Sequence, residues 1–278
     1  MALVGSNAPA HAAEKIAVVA SFSILGDLVQ VVGGHRVAVT TLVGADQDAH
    51  VFEPKPSDAK RLLGARLFVV NGLGFEPWAS KLAQSTGYRG TVVVASTGVR
   101  ARPADPHAWQ DPLNVVLYVR NIAAALSRLD PDGAAVYQAN AAAYEQELYA
   151  LDAWIGQQFL RIPPAQRKVV TSHDAFAHFA ARYKVQFLAA RGINTHAEPS
   201  ARQVAQLLQQ IKREKIRAVF VENMGHTRLM EQISKDTGAS VGGSLYADAL
   251  SAPDEPGATY LQMVRHNVTQ LAMGMRRN

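Results

Sequence analysis

The sequence predicts an α/β fold of two lobes, each a four-stranded, mainly parallel sheet flanked by helices, joined by one long connecting helix. Three observations predict it. Short β-branched runs alternate with helix-period stretches through the first 130 residues, as in parallel sheets covered on both faces. A helical pattern opened by Pro131 then runs for about 30 residues, roughly 45 Å if wholly helical. The strand–helix alternation starts again after Ile162-Pro163-Pro164.

Composition supports a globular chain. It has 278 residues, 48% of them hydrophobic and 18% charged. The formal charge of +5 comes from scattered Lys and Arg, with no basic helix interleaved with aromatics, which argues against nucleic acid as a partner. Cysteine is absent, which removes disulfides, thiolate metal sites, cysteine nucleophiles and a lipid-anchoring cysteine together. Any metal must be held by His, Asp or Glu. No run of about 18 apolar residues exists to form a membrane span.

The elements follow in order. Residues 1–13 end in Ala10-His11-Ala12, a small-residue pattern like a signal-peptidase site, and read as the remnant of an export signal. The N-terminal lobe is assigned to residues 14–130. Residues 15–21 carry Ile16, Val18 and Val19 and predict the first strand. Apolar residues at helical spacing over 22–32 predict a helix, stopped by Gly33-Gly34. Residues 36–43, 66–71 and 91–96 predict strands two to four, with helices over 56–63 and 77–84. The amphipathic stretch 113–129 presents Val116, Val119, Ile122, Ala123 and Leu126 on one face. The connecting helix, 131–162, carries Tyr144, Leu148, Leu151, Ile155 and Phe159 on one stripe. The C-terminal lobe, 163–278, has predicted strands at 168–171, 185–189, 218–221 and 240–245. Its helices are predicted at 175–182, 199–213, 227–236 and 258–275.

The octapeptide Asp105-Pro106-His107-Ala108-Trp109-Gln110-Asp111-Pro112 sets a histidine between two Asp-Pro breaks, on a stiffened loop between strand and helix. In open parallel sheets, ligands sit beyond the carboxyl ends of the strands. His50 follows the second predicted strand, His107 the fourth, His173 closes the fifth, and Asp248 follows the eighth. Two come from each lobe. Three imidazoles and a carboxylate form a tetrahedral set for a divalent metal, and the nitrogen-rich shell favours zinc over manganese.

Four motifs carry a resemblance. Ala-His-Val-Phe-Glu-Pro-Lys-Pro-Ser-Asp at 49–58, Asp-Pro-His-Ala-Trp at 105–109, Ser-His-Asp-Ala-Phe at 172–176 and Ala-Asp-Ala-Leu at 247–250 stand in one order. In order and spacing they resemble the ligand motifs of the metal-binding receptors of bacterial ABC importers for zinc and manganese. The resemblance covers residues 15 to about 275. It implies Zn2+ as transported cargo rather than a catalytic cofactor, and a membrane permease as partner. Manganese members carry Glu where this chain has His173, which points to the zinc-specific branch. Many zinc members have a His-rich loop between the first two ligands, and none is expected here because residues 73–104 contain no histidine. The expectation is a periplasmic monomer without a lipid anchor, and no enzyme. Two alternatives stay open: a zinc hydrolase with water as the fourth ligand, and an adhesin-type member of the same fold. Asp248 would close the site, and no His-Glu-x-x-His helix is present, which counts against the hydrolase.

The remaining polar candidates are weighed by position. His196 follows the sixth strand and could line the cleft. Glu222, ending the seventh, is the best candidate to hydrogen-bond a ligand histidine. His178 is expected to face away from His173, His226 to cap a helix, and His35 and His266 to be surface residues.

Overall fold

The structure, a computed structural model, describes residues 14–102, 105–193, 195–224 and 227–278. The expected export-signal remnant with His11, and the expected capping role of His226, lie outside the described residues.

The first half runs β1 (Ile16–Phe22), α1 (Ser23–Gly33), β2 (Val37–Val43), α2 (Pro56–Leu63), β3 (Leu67–Val70), α3 (Pro77–Ser85), β4 (Thr91–Val94) and α4 (Pro112–Leu129). The sheet is parallel, in the order β2-β1-β3-β4, with Val18 paired to both Val39 and Leu67. Central β1 buries Val18, Val19 and Ala20 in succession, as a strand covered on both faces must. Pro56, Pro77 and Pro112 open α2, α3 and α4, where the missing N–H leaves no hydrogen bond unmade. Asp111 caps α4 by accepting from the Leu113 N–H at 3.0 Å.

The connector is α5 (Ala134–Leu160), preceded by a 3-10 turn at Pro131–Gly133. It buries Tyr137, Ala141, Tyr144, Leu148, Leu151, Ile155 and Phe159, the expected stripe extended toward the N-terminus. That stripe packs on α1 and α4 of the first half and on α9 of the second.

The second half repeats the plan: β5 (Lys168–Thr171), α6 (Ala177–Tyr183), β6 (Gln186–Ala189), α7 (Ala201–Glu214), β7 (Ala218–Val219), α8 (Thr227–Thr237), β8 (Ser240–Val241) and α9 (Tyr260–Met275). Its parallel order, β6-β5-β7-β8, matches that of the first sheet. The strands predicted at 218–221 and 240–245 are shorter than expected, with two ladder residues each. The cause is close approach at Gly242, where a Cβ would lie 2.5 Å from the Phe220 ring. Glycine lets the chain cross Phe220 and leave the ladder. Pairing resumes as an isolated bridge between Glu222 and Leu245, which aligns Glu222 with the turn leading to Asp248. One apolar core runs from Ile16 to Met275 through both halves, and a smaller one of Val170, Leu188, Ile211, Val219, Met230 and Ile233 lies under α7 and α8.

Candidate metal centre

Each candidate ligand sits past a strand end and is fixed by its neighbours. The His50 N–H donates to Asp48 Oδ1 at 2.8 Å, and Trp78 Nε1 donates to the Ala49 carbonyl at 2.9 Å. The His107 N–H donates to Asp105 Oδ1 at 2.9 Å, and ring Nδ1 meets the same oxygen at 2.7 Å. Behind that loop, Asn71 Nδ2 donates to the Pro106 carbonyl at 3.0 Å. Buried Glu76 accepts from the Asn71 N–H and from Ser21 Oγ, and burial pushes its carboxyl up to about 7.

His173 is held by Glu222. Oε1 accepts from the Ser172 and His173 N–H groups at 3.0 and 3.2 Å, while Oε2 meets ring Nδ1 at 2.5 Å. The strand-end glutamate thus does what its position predicted. Asp248 hangs from a trussed backbone. Asn267 binds both the N–H and the carbonyl of Tyr246, at 2.9 and 2.7 Å. Leu250 donates to Ser23 Oγ at 2.9 Å and accepts from the Asp46 N–H at 2.9 Å.

These four side chains converge, with one donor atom from each lying within 4.8 Å of all the others. The His50 and His107 Nε2 atoms are 3.1 Å apart. Asp248 Oδ2 is 3.2 Å from Nε2 of both His50 and His173, and Oδ1 is 3.5 Å from His107 Nε2. A tetrahedral ion with bonds of about 2.0–2.1 Å requires donors about 3.3 Å apart, so the spacing fits a small divalent cation. Because Asp105 and Glu222 engage Nδ1 of their histidines, Nε2 is left to offer its lone pair. His173 Nε2 and both Asp248 oxygens have no hydrogen-bond partner among the described residues. Buried polar atoms without partners are rare, and a cation would satisfy all three.

The surroundings are dry. His107 and Asp248 are 0% exposed, His173 1% and His50 9%. The Phe75 ring stands 4.8 Å from His50, and Trp109 stands 5.3 Å from His107. Burial by itself would lower the His107 pKa, but the Asp248 charge and the Asp105 hydrogen bond outweigh it and raise the ring above its ordinary value. His173 is raised further, burial again being overcome, here by the Glu222 and Asp248 charges. Burial would push Asp248 up, but the two facing imidazoles hold it well below the usual carboxylate range.

The other candidates fall elsewhere. His196, which could have lined the cleft, is exposed to solvent and does not join the cluster. His178 is core, its Nδ1 3.1 Å from Asn114 Nδ2 and its Nε2 facing the Asp105 carbonyl. His266 is half-buried rather than a surface residue, because its Nε2 binds the Ser244 carbonyl at 2.8 Å and its ring packs on Tyr246. His35 is exposed as expected. Sequence reasoning missed Asp105 as the partner of His107. Its place two residues before that histidine, ahead of a proline, was the available signal.

Replacing Glu222 with Gln is expected to weaken metal binding by about 10- to 100-fold, because the amide removes the charge that orients His173. Competition with a chromophoric chelator measures it, and a variant that binds like the parent would show that Glu222 holds only the backbone.

Four buried metal-ligating side chains gathered between two parallel-sheet lobes form a candidate site for a divalent cation. The chain belongs to the family described as zinc-uptake complex component A, periplasmic (ZnuA), whose profile matches residues 18–274. The manganese-binding lipoprotein MntA of Halalkalibacterium halodurans is 37% identical over 94% of this chain and 89% of its own length. The iron-binding protein YfeA of Yersinia pestis is 33% identical over 98% of this chain and 90% of its own. The periplasmic zinc-binding protein TroA of Treponema pallidum superposes with a TM-score of 0.89 at 26% identity, covering 94% of this chain and 99% of its own. By name these proteins bind three different metals, so the expected zinc-specific branch does not follow from them. Relatives described as lipoproteins also run against the expectation of no lipid anchor. The class that stands is a periplasmic or extracellular solute-binding protein of an ABC metal importer, a transport receptor with a membrane permease as partner.

Proposed function

We propose that the chain carries Zn2+ to its permease, bound by His50, His107, His173 and Asp248 between lobes of residues 14–130 and 163–278, with 131–162 as connector. The observation that carries this reading is the set of three imidazoles and one carboxylate whose donor atoms lie within 4.8 Å of one another, with His50–His107 and the three histidine–Asp248 approaches at 3.1–3.5 Å. Imidazole-rich, four-donor shells suit zinc, and carboxylate-rich, higher-coordinate shells suit manganese. A second reading, manganese, is supported by the names of the sequence relatives and by an Asp248 that turns both oxygens inward. A hydrolase would need a coordination position open to water, and Asp248 fills the fourth.

Metal-free protein offered equal Zn2+ and Mn2+ is expected to retain zinc, as measured by elemental analysis after gel filtration. Retention of manganese would replace zinc as the cargo. Retention of neither would remove the receptor assignment of these four residues.

A further inference from the structure

His107 sits at the centre of an inverse γ-turn. Its φ and ψ are −80° and 51°, and the Ala108 N–H closes the turn on the Pro106 carbonyl at 2.8 Å. A carbonyl has two lone pairs, and the second is taken by Asn71 Nδ2 at 3.0 Å. The Asp105 carboxyl does not anchor the turn to the lobe. Its Oδ1 engages the N–H and ring of His107 itself, and its Oδ2 has no partner among the described residues.

Asn71 directly follows β3 and is fully buried. Its Nδ2 also donates to the Gly72 carbonyl at 2.9 Å, so both amide hydrogens meet carbonyl oxygens. Tyr118 Oη donates to Oδ1 at 2.5 Å, which fixes the end of the amide that faces the turn. Gly72 opens a run of three left-handed residues, Gly72, Leu73 and Gly74, with φ of 82°, 56° and 81°. A leucine is disfavoured in that conformation, so the run needs bracing. Glu76 braces it from the far side by accepting the Asn71 and Gly72 N–H groups. The run delivers Phe75, whose ring centroid lies 4.8 Å from that of His50 and 5.7 Å from that of His107. One amide thus ties the backbone that presents His107 to the backbone that presents the ring beside it. We infer that Asn71 is a positioning residue for His107, holding its γ-turn so that Nε2 faces the other three donors. This rests on the proposed ligand set.

The test uses Asn71→Asp, which keeps the shape but turns an oxygen toward the two carbonyls, and Tyr118→Phe, which frees the amide to rotate. Zinc binding by the full-length proteins is measured by chelator competition. Affinity is expected to fall about 10- to 100-fold in Asn71→Asp and near the lower end of that range in Tyr118→Phe. Each substitution is then combined with His107→Ala and, separately, with His173→Ala. A positioning residue acts through its histidine, so its effect should shrink to less than about twofold once His107 is gone and persist when His173 is gone. A loss by the same factor in both backgrounds overturns the inference and makes Asn71 a packing residue. So does an Asn71→Asp protein that binds zinc like the parent, or a Tyr118→Phe protein that does so where Asn71→Asp does not fold. A His107→Ala protein that binds like the parent removes the ligand assignment before any cycle is read, and the inference falls with it.

Discussion

Replacing His173 with alanine is expected to weaken Zn2+ binding by about 100-fold or more, since one of four ligands carries a large share of a site worth roughly 10–16 kcal/mol. The loss exceeds that of a single bond. The substitution also strips Glu222 of its ring partner and leaves a buried carboxylate facing the vacated space. Glu222 still accepts from the Ser172 and residue-173 N–H groups, so the loop keeps its shape and the protein folds. Chelator competition measures the change. His35→Ala, on an exposed side chain outside the cluster, serves as the control and should match the parent. A His173→Ala protein that binds zinc as the control does would remove His173 from the site.

Acidification is the second large effect. An imidazole binds metal only when neutral. In the metal-free site His107 and His173 hold their protons to higher pH than an ordinary histidine, so a cation must displace protons that a free imidazole would already have lost. Apparent zinc affinity therefore rises with pH through the raised values and falls as pH drops, by about one decade per pH unit for each proton displaced. Stability of the metal-free protein moves the other way. A raised histidine contributes stability that is fully present below its unfolded value of about 6.5 and is lost as pH climbs through the folded value. Zinc titrations at intervals from pH 5 to 8, with thermal melts of the metal-free form, measure both trends. A flat affinity over that range would mean the two rings are neutral before the ion arrives.

Much of this was legible in the chain because the signals were local. The β-branched runs of β1 and β5, the prolines at the starts of α2, α3 and α4, and the stripe on α5 are each written in adjacent residues. The four candidate ligands could be picked out because parallel sheets gather strand ends on one edge, so order along the chain became proximity in space. What was not legible depended on pairs distant in sequence. The shortening of β7 and β8 arises where Gly242 meets Phe220, and no periodicity announces that contact. His266 looked like a surface residue because its partners, the Ser244 carbonyl and the Tyr246 ring, lie about 20 positions earlier, in a loop that only the fold brings against α9. The bonds that Trp109 Nε1 and Gln110 Nε2 donate to the Ala247 carbonyl join residues 138 and 137 positions apart.

The uneven burial of the four side chains has a consequence in time. Three are sealed at 0–1% exposure, and His50, at 9%, is the least buried of the four. An ion held with a dissociation constant of about 1 nM, arriving at about 10⁷ M⁻¹ s⁻¹, dwells for roughly 100 s before leaving unaided. Any partner that must unload the protein faster has to shorten that wait by force. The lever nearest to hand is the segment bearing His50, which meets the second half through Asp46 and Asp48, paired with Asn223 and Thr195. Pulling those two contacts apart, together with the bond from the Asp46 N–H to the Leu250 carbonyl, would uncover the ion from the His50 side while His107 and His173 stay backed by their carboxylates, ready to accept the next one.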